Sequence, residues 1–489
     1  MKPIVRCSDI AQIDRRSQDE AHIDALILME SAGLQAWLML RALIKGRDAS
    51  LLFLVGSGNN GGDALVVSRY AYNEGYTNQA ILLLEGTPSS SNQVQRAIIE
   101  AYGIATIEER ELDGALAQAQ WVIDGIAGTG LQGPLRSAAA RIVELANASN
   151  AQIFSIDIPS GLADQNRFDA IAIEADYTVT MGALKSALVH PRSRARCGIW
   201  AVVNPSFPPA MLASLTPVAI LVDEDATLAP LRRDAYKNTR GHVVIFGGSL
   251  AYSGALRLAG RGSFAARAGL VTLATDEELL PIAASEAPSM MVRPCLGVDP
   301  ASYDVVLAGP GWGEGRESLL KRVLAAQVPI VIDADGITAL AHLALAGEVP
   351  PTGAMIITPH LGELATLARA LDIDDDHTPL GFFALIEALA NTLDAVVVVK
   401  SSLVYVVAPG QTVLVFDGSN PSLGVAGSGD VLSGIIAGLW AGGINAFDAA
   451  RIGVQIHQEA GRRAANTYGY YDSERLIDCV GLVVKEAES

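Results

Sequence analysis

One local pattern recurs along this chain and constrains its fold more than anything else. A short aliphatic run stops at a glycine-bearing polar loop, and a helix-patterned segment follows. Leu51-Leu52-Phe53-Leu54-Val55 leads into Gly56 to Asp63, then Ala64 to Tyr70 opens a helix. Trp121-Val122-Ile123 ends at Asp124, followed by the loop Gly125 to Pro134 and a helical pattern over Leu135 to Asn147. Ile153-Phe154-Ser155-Ile156 ends in Asp157-Ile158-Pro159-Ser160-Gly161. The pattern returns later. His242 to Phe246 precedes Gly247-Gly248-Ser249, Val305 to Ala308 precedes Gly309-Pro310-Gly311, and Pro329 to Ile332 precedes Asp333-Ala334-Asp335. Ala354 to Ile357 precedes Thr358-Pro359-His360, and Ala395 to Val399 precedes Lys400-Ser401-Ser402. Aliphatic runs without alternation are strands buried on both faces, as in parallel sheets covered by helices. The expected class is α/β, and the loops at the strand C-termini of such a sheet share one crevice.

A chain of 489 residues exceeds what one core usually covers, so two or three domains are expected. Asn204-Pro205-Ser206-Phe207-Pro208-Pro209, with Pro217 after it, is the Pro-rich break in the middle. It places a boundary within about ten residues of Thr216. Ser8 to Lys45 is helical in pattern, as one helix or as two broken near Gly33. It carries no identifiable chemistry and serves packing or a dimer surface, so a homo-oligomer is expected. The formal net charge of −18, with no basic block, argues against nucleic acid and anionic membrane as partners. Cys7, Cys197, Cys295 and Cys479 form no CxxC and no zinc spacing, which suits reduced thiols and a cytoplasmic location. The N-terminal residues lack a signal-peptide apolar core. Val431 to Phe447, the longest uncharged stretch, is interrupted by glycines and falls short of the roughly 20 residues of a spanning helix. It reads as a buried core helix.

The loops carry the chemistry. Gly56, Gly58 and Gly61 match G-x-G-x-x-G, and the strand Ala80 to Leu84 ends at Glu85, where a dehydrogenase keeps a ribose-binding acid. Against a dehydrogenase stand Asn59, Asn60 and Asp63, polar side chains suited to coordinating a ligand or cation. A plain turn capped by Asp63 is the alternative. Asp63, Asp124 and Asp157 fall at one sheet edge. A lone loop Asp is usually a helix cap, but three together suit a monovalent cation and a general base. Lys185 is read either as a phosphate neutraliser or as a surface lysine. In Gly427-Ser428-Gly429-Asp430, before the apolar run Val431 to Leu439, two glycines open a helix whose first amides favour an anion. Asp430 would sit beside that anion as a proton acceptor. His360, with Glu363 three residues on, is either a helix cap or a ligand contact.

Residues Gly58-Asn59-Asn60-Gly61-Gly62-Asp63, Asp124 with Gly128-Thr129-Gly130-Leu131, and Asp157-Ile158-Pro159-Ser160-Gly161-Leu162 resemble the NAD(P)H-hydrate epimerase domain over roughly 1–215. The resemblance implies a Rossmann-like three-layer domain that interconverts the epimers of hydrated NAD(P)H. It implies K⁺ held by Asn60, Asp124 and Ser160. It also implies hydrate contacts from Asn59, Asn60, Gly61, Gly62, Asp63, Gly128, Thr129, Gly130, Leu131, Gln132, Gly133, Pro134 and Asp157, with Asp157 as proton carrier. Ala64 replaces the family's usual glycine, and Gly133 lies in a variable loop.

Gly247-Gly248-Ser249, Gly309-Pro310-Gly311, Asp333-Ala334-Asp335, Thr358-Pro359-His360 and Gly429-Asp430-Val431-Leu432 resemble the ribokinase-like NAD(P)H-hydrate dehydratase over about 225–489. The resemblance implies hydrate contacts from Ala255, Gly311, His360 and Asp430. It implies a nucleotide, ADP or ATP with Mg²⁺, held by Lys400, Ser401, Ser402, Leu403, Val404 and Gly429. Several positions depart from the family. Ser428 stands for its threonine and keeps the hydroxyl. Ser401 and Val404 stand where it has glycine and threonine, with Ser401 or Ser402 as possible compensation for the hydroxyl lost at Val404. Leu361 stands for its proline.

The two resemblances together imply a bifunctional repair enzyme acting on NADHX and NADPHX. Its first half would epimerise the hydrate. Its second would phosphorylate the hydroxyl, with Asp430 as base, and eliminate phosphate. Two other readings stay open: a small-molecule kinase fused to a dehydrogenase-like domain, and a non-catalytic RNA-binding scaffold in the first half.

Overall fold

The computed structural model describes residues 1–285, 288–349, 354–418 and 420–488. The chain forms two compact units. One comprises Lys2–Ala219 with Asp376–Phe382, and the other runs over Ile220–Asp375 and resumes at Phe383.

The N-terminal unit opens with β1 (Lys2–Val5), α1 (Cys7–Asp19) and α2 (Ala25–Leu43). Strand and helix then alternate through β2 (Leu51–Val55), α3 (Asn59–Asn73), β3 (Gln79–Leu83), α4 (Ser90–Tyr102) and β4 (Thr106–Ile107). They continue through α5 (Leu112–Gln118), β5 (Trp121–Gly125), α6 (Ser137–Asn147) and β6 (Gln152–Ile156). The strands β7 (Tyr177–Met181), β8 (Leu184–Lys185) and β9 (Ile199–Val203) and the short α7 (Pro209–Ala213) complete it. The parallel sheet has the order β4-β3-β2-β5-β6-β7-β9.

Side-chain alternation along β2 builds three layers. Leu51, Phe53 and Val55 enter one core with Trp37, Leu40 and Leu65. Leu52 and Leu54 enter the other with Leu112, Leu116 and Ile142. The helical break expected at Gly33 lies instead at residues 20–24, and Gly33 is mid-helix in α2. A Cβ there would fall 2.5 Å from Val66 Cβ, so the glycine serves close packing of α2 on α3. α2 is long and apolar enough to cross a membrane, but Leu28, Met29, Ala32, Ala36, Trp37 and Leu40 are buried within this unit.

The strand β10 (Ala219–Leu221) falls where the units divide. The C-terminal unit has β11 (His242–Phe246), α8 (Ser253–Ala265), β12 (Leu270–Thr275), α9 (Leu280–Ser285), β13 (Met291–Pro294) and β14 (Val305–Ala308). It continues with α10 (Glu317–Leu324), β15 (Ile330–Ile332), α11 (Asp335–Leu345), β16 (Met355–Ile357), α12 (Leu361–Ala370) and α13 (Pro379–Leu393). Then come β17 (Ala395–Val399), β18 (Leu403–Val407), β19 (Val413–Asp417), α14 (Ser428–Ala441), α15 (Ala446–Tyr468) and α16 (Ser473–Ala487). Its strands run β13-β12-β11-β14-β15-β16-β17 in parallel, and β18 and β19 add the expected antiparallel hairpin.

Both sheets reverse their winding direction once. The reversal lies between β2 and β5 in the first unit and between β11 and β14 in the second. Glycines let the loops meet there. A Cβ on Gly56 would fall 1.9 Å from the Ile126 carbonyl oxygen, and one on Gly247 2.5 Å from that of Pro310. Such reversals open the crevice in which α/β sheets bind ligands.

Candidate active sites

In the N-terminal unit the crevice is a cavity of about 910 Å³. α3 starts at Asn59, five residues before the expected start, so Asn59 to Asp63 form its first turn. Their amides favour an anion at the cavity wall. Asn92 fixes the turn before the helix, donating from Nδ2 to the carbonyls of Gly56 (3.0 Å) and Gly58 (2.7 Å). Asn59, Asn60, Asp63, Gly128, Thr129, Gly130, Leu131, Gln132, Pro134 and Asp157 line the cavity. Gly61 and Gly62 turn away from it. A Cβ on Gly61 would strike the Gly56 carbonyl at 2.1 Å, and one on Gly62 the Met29 side chain at 2.4 Å. These two glycines pack the helix down. Gly133 also lies outside the lining, and its carbonyl accepts from Asn166 Nδ2 at 3.0 Å.

Asp157 follows β6 directly, in the left-handed region at φ 69°. Its Oδ1 accepts from Lys185 Nζ at 2.5 Å and from the Met181 amide at 3.2 Å, and Oδ2 faces the Thr129 amide at 3.4 Å. Lys185 is fully buried and also donates to Thr180 Oγ1 (2.6 Å) and the Met181 carbonyl (2.8 Å). It is not a surface lysine: its three donors are all engaged around Asp157. Asp63 lines the same cavity. Burial first, then the charges of Asp157 and Asp14, push its carboxyl well above the usual range. The two acids are held differently within one cavity: Asp157 is paired with Lys185, and the Asp63 carboxyl is pushed upward by burial.

Asp124 lies within β5 and is fully buried. Its Oδ2 accepts from Ser155 Oγ (2.8 Å) and the Ser160 amide (2.9 Å), and its Oδ1 from Ser160 Oγ (2.5 Å) and the Ile126 amide (3.2 Å). Burial raises its pKa, against the pull of those hydrogen bonds. Asn60 is different. Among the described residues, both its side-chain oxygen and its nitrogen are buried without a hydrogen-bond partner. An amide oxygen, a carboxylate and a serine hydroxyl are together the kinds of donor that suit a hard monovalent cation. A cation reaching Asp124 would take the place of the Ser160 hydroxyl hydrogen.

In the C-terminal unit the polar groups meet at the ends of β14, β15, β16 and β17. Gly311 has φ 60°, and a Cβ on it would lie 2.6 Å from the Tyr252 carbonyl and 2.9 Å from Ala255 Cβ. Ala255 and Gly311, expected to share a ligand, are therefore in contact. Asp333, 1% exposed, accepts at Oδ1 from Lys400 Nζ (2.5 Å) and from Thr358 Oγ1 (2.7 Å). Burial lowers the pKa of Lys400, but Asp333, Glu363 and Asp430 outweigh it and the net shift is upward.

Gly427, at φ 88°, immediately precedes α14, and the position of a Cβ on Gly429 is 3.5 Å from Lys400 Nζ. Asp430 is in the first turn. Burial, with Asp333 and Asp335 nearby and against the pull of Lys400, pushes its carboxyl up to about 7. His360 caps α12. Its Nδ1 accepts from the amides of Gly362 (3.0 Å) and Glu363 (3.1 Å), and Glu363 Oε2 accepts the His360 amide at 2.8 Å. The capping alternative is thus realised, while the backbone of His360 bridges to Lys400.

The nucleotide-site expectations divide. Lys400 and Gly429 come together near Asp430. The Ser401 hydroxyl closes a turn with the backbone of Leu403. The Leu403 side chain is wholly in the core, leaving only its backbone for a ligand. Ser402 is exposed. Sequence reasoning gave no role to Asp333, Thr358 or His457. Asp333 carried a signal, since it stands at a strand end beside Ala334, whose φ is 48°.

Two doubly wound sheets, each with its own polar crevice, make this a two-centre α/β enzyme. Two family models match the chain. One, described as YjeF-related protein N-terminus, covers residues 25–187, and the other, described as NAD(P)H-hydrate dehydratase, covers 243–481. The bifunctional NAD(P)H-hydrate repair enzyme Nnr of Moorella thermoacetica is 32% identical over 95% of this chain and 93% of its own length. That of Thermofilum pendens is 30% identical over 95% of this chain and 93% of its own length. A solved ribokinase-like superfamily protein from Enterococcus faecalis V583 is 25% identical, with TM-score 0.48, over 55% of this chain and 96% of its own. The chain belongs to the family of bifunctional NAD(P)H-hydrate repair enzymes.

Proposed function

We propose that the cavity bounded by Asp157 and Asp63 epimerises hydrated NADH and NADPH, and that the centre around Asp430 dehydrates the S epimer with ADP or ATP. The epimerase spans 1–215 and the dehydratase 225–489, in a cytoplasmic homo-oligomer. The observation that carries the reading is the pair of carboxyls held differently in one cavity. Asp157 is fixed by Lys185, whereas the Asp63 carboxyl is pushed upward by burial and by the neighbouring charges of Asp157 and Asp14. The hydrated carbon bears a hydroxyl next to the ring nitrogen, so a carboxyl placed beside it can pass a proton to or from that hydroxyl. Asn60, Asp124 and Ser160 would hold K⁺, which supplies a fixed positive charge for the anionic ligand.

In the second centre the hydroxyl oxygen attacks the terminal phosphorus while its proton passes to the Asp430 carboxylate. ADP leaves as AMP, or ATP as ADP. Amides at the start of α14 and the Lys400 ammonium stabilise the moving charge. The nucleotide arrives as its Mg²⁺ complex. Phosphate then departs with the C–O electron pair as the neighbouring ring carbon loses a proton, restoring the dihydropyridine. Gly311, Ala255 and His360 face the hydrate. The deciding experiment follows NADH absorbance from R-hydrate with ADP and with ATP, with and without K⁺. Net formation of a stable phosphorylated product would favour the kinase reading and overturn this one.

A further inference from the structure

Under the first turn of α14 lies a histidine that the chemistry above does not use. His457, on α15, is buried, with Nε2 3.0 Å from Ser428 Oγ and 3.0 Å from the Ser428 carbonyl oxygen. A carbonyl oxygen only accepts. An unprotonated Nε2 would set its lone pair against those of the carbonyl at hydrogen-bond distance, so Nε2 carries the hydrogen and donates. Burial also holds the ring's pKa down to about 4, which keeps it neutral with a single N–H. The Ser428 oxygen then meets a donor on its inner side. It must accept there, and its own hydrogen is directed elsewhere.

Ser428 is the first residue of α14, one before Gly429 and two before Asp430. A hydroxyl whose hydrogen is turned away from His457 adds a donor to the amides of that helix start. We infer that His457 is a positioning residue for the nucleotide. By donating from Nε2 to Ser428, it keeps the Ser428 hydroxyl as a donor to the phosphate held at the start of α14. The inference rests on the nucleotide occupying that helix start, as proposed above.

The test uses the full chain and calorimetric titration with Mg²⁺-ADP and Mg²⁺-ATP, alongside dehydration kinetics and thermal unfolding. His457→Leu removes the donor. Its nucleotide Kd and KM should rise about tenfold, the worth of one hydrogen bond to a charged group, with kcat changed much less. His457→Gln places an amide N–H near the same point and should recover most of that loss. In a Ser428→Ala background, His457→Leu should add little, because the hydroxyl it orients is gone. A purely structural histidine would instead lower the unfolding temperature and the active fraction and leave the nucleotide KM alone. That result overturns the inference, as does unchanged nucleotide affinity in His457→Leu. Should the leucine variant not fold, ¹⁵N resonances of the His457 ring in the native chain decide, since a hydrogen on Nδ1 rather than Nε2 removes the premise. Failure of the wild-type chain to bind either nucleotide would be a failure of the site reading itself, and the inference would fall with it.

Discussion

Lys185 Nζ lies 2.5 Å from Asp157 Oδ1, and the lysine side chain has no exposure to solvent. Taking both charges out of water is costly, and the pair persists because Thr180 and Met181 satisfy the remaining ammonium donors. Removing one partner leaves the other charged and buried. Lys185→Met should therefore destabilise the N-terminal unit by about 3–5 kcal/mol. The double variant Lys185→Met with Asp157→Asn should recover much of that loss while remaining inactive in epimerisation. Chemical denaturation of the four proteins of the cycle measures the coupling. Additive losses would show that the pair does not act as a unit.

Asp430 sets a different expectation, because its carboxyl is pushed up to about 7. As the proton acceptor it must be ionised, so kcat/KM for dehydration should fall as pH drops through about 7. Asp430→Asn should abolish dehydration and leave epimerisation intact. The linkage has a definite sign. In the unfolded chain the group ionises near 3.8, and in the folded chain only near 7, so its contribution to stability is full below the lower value and lost as pH rises through the upper one. The asparagine variant should gain stability over wild type as pH rises across that window, with a constant difference above it. Unfolding temperatures of both proteins between pH 4 and 8 check the sign. A variant equally stable relative to wild type at all these values would show that Asp430 is not strained by its surroundings.

The strands and the loops that carry these groups were legible because an uninterrupted aliphatic run ending at glycine has few other uses. His242–Phe246, Val305–Ala308 and Ala395–Val399 stand where the sequence places them. What was hidden depends on pairing between distant residues. Nothing local to Lys185 announces that it folds back on Asp157, 28 positions earlier. Nothing near Asp333 announces Lys400, 67 positions later. Gly33 misled because a helix-breaking residue was read from propensity, while its neighbour Val66 requires the missing side chain. Likewise the sequence motif does not show that Gly61 and Gly62 pack against Gly56 and Met29, where a Cβ would not fit. Asp376–Phe382, deep in the second half of the sequence, belongs to the first unit, and no composition signal marks it.

Asn60 provides a test for the cation that does not depend on turnover. Among the described residues its amide oxygen and nitrogen are buried without partners, and an oxygen-seeking cation would relieve the unfavourable state of the oxygen. K⁺ binding only to the folded chain should raise the unfolding temperature of the wild type, and Na⁺ at equal ionic strength should do so less. Asn60→Ala should lose the K⁺-specific rise and, in K⁺-free buffer, unfold at or slightly above the wild-type temperature. A wild-type unfolding temperature indifferent to K⁺ would remove the cation from this site.

His360 poses the problem of a residue with two possible duties. Its Nδ1 caps α12 by accepting from Gly362 and Glu363, yet 60% of its side chain is exposed and its backbone pairs with that of Lys400. A substitution to alanine would mix the two duties, because losing the cap alone costs about 1 kcal/mol. Asparagine separates them. Its short side-chain oxygen is among the best caps, and it removes the ring and the Nε2 that would meet the hydrate. His360→Asn should therefore match the wild type in stability to within about 0.5 kcal/mol, while His360→Ala loses stability. If the ring meets the hydrate, both variants should lose at least about tenfold in kcat/KM for dehydration, the asparagine variant with no change in unfolding temperature. Dehydration kinetics and thermal unfolding of the two variants side by side give the answer. Full activity in His360→Asn would assign the residue to the cap alone and leave Gly311, Ala255 and Asp430 to hold the hydrate.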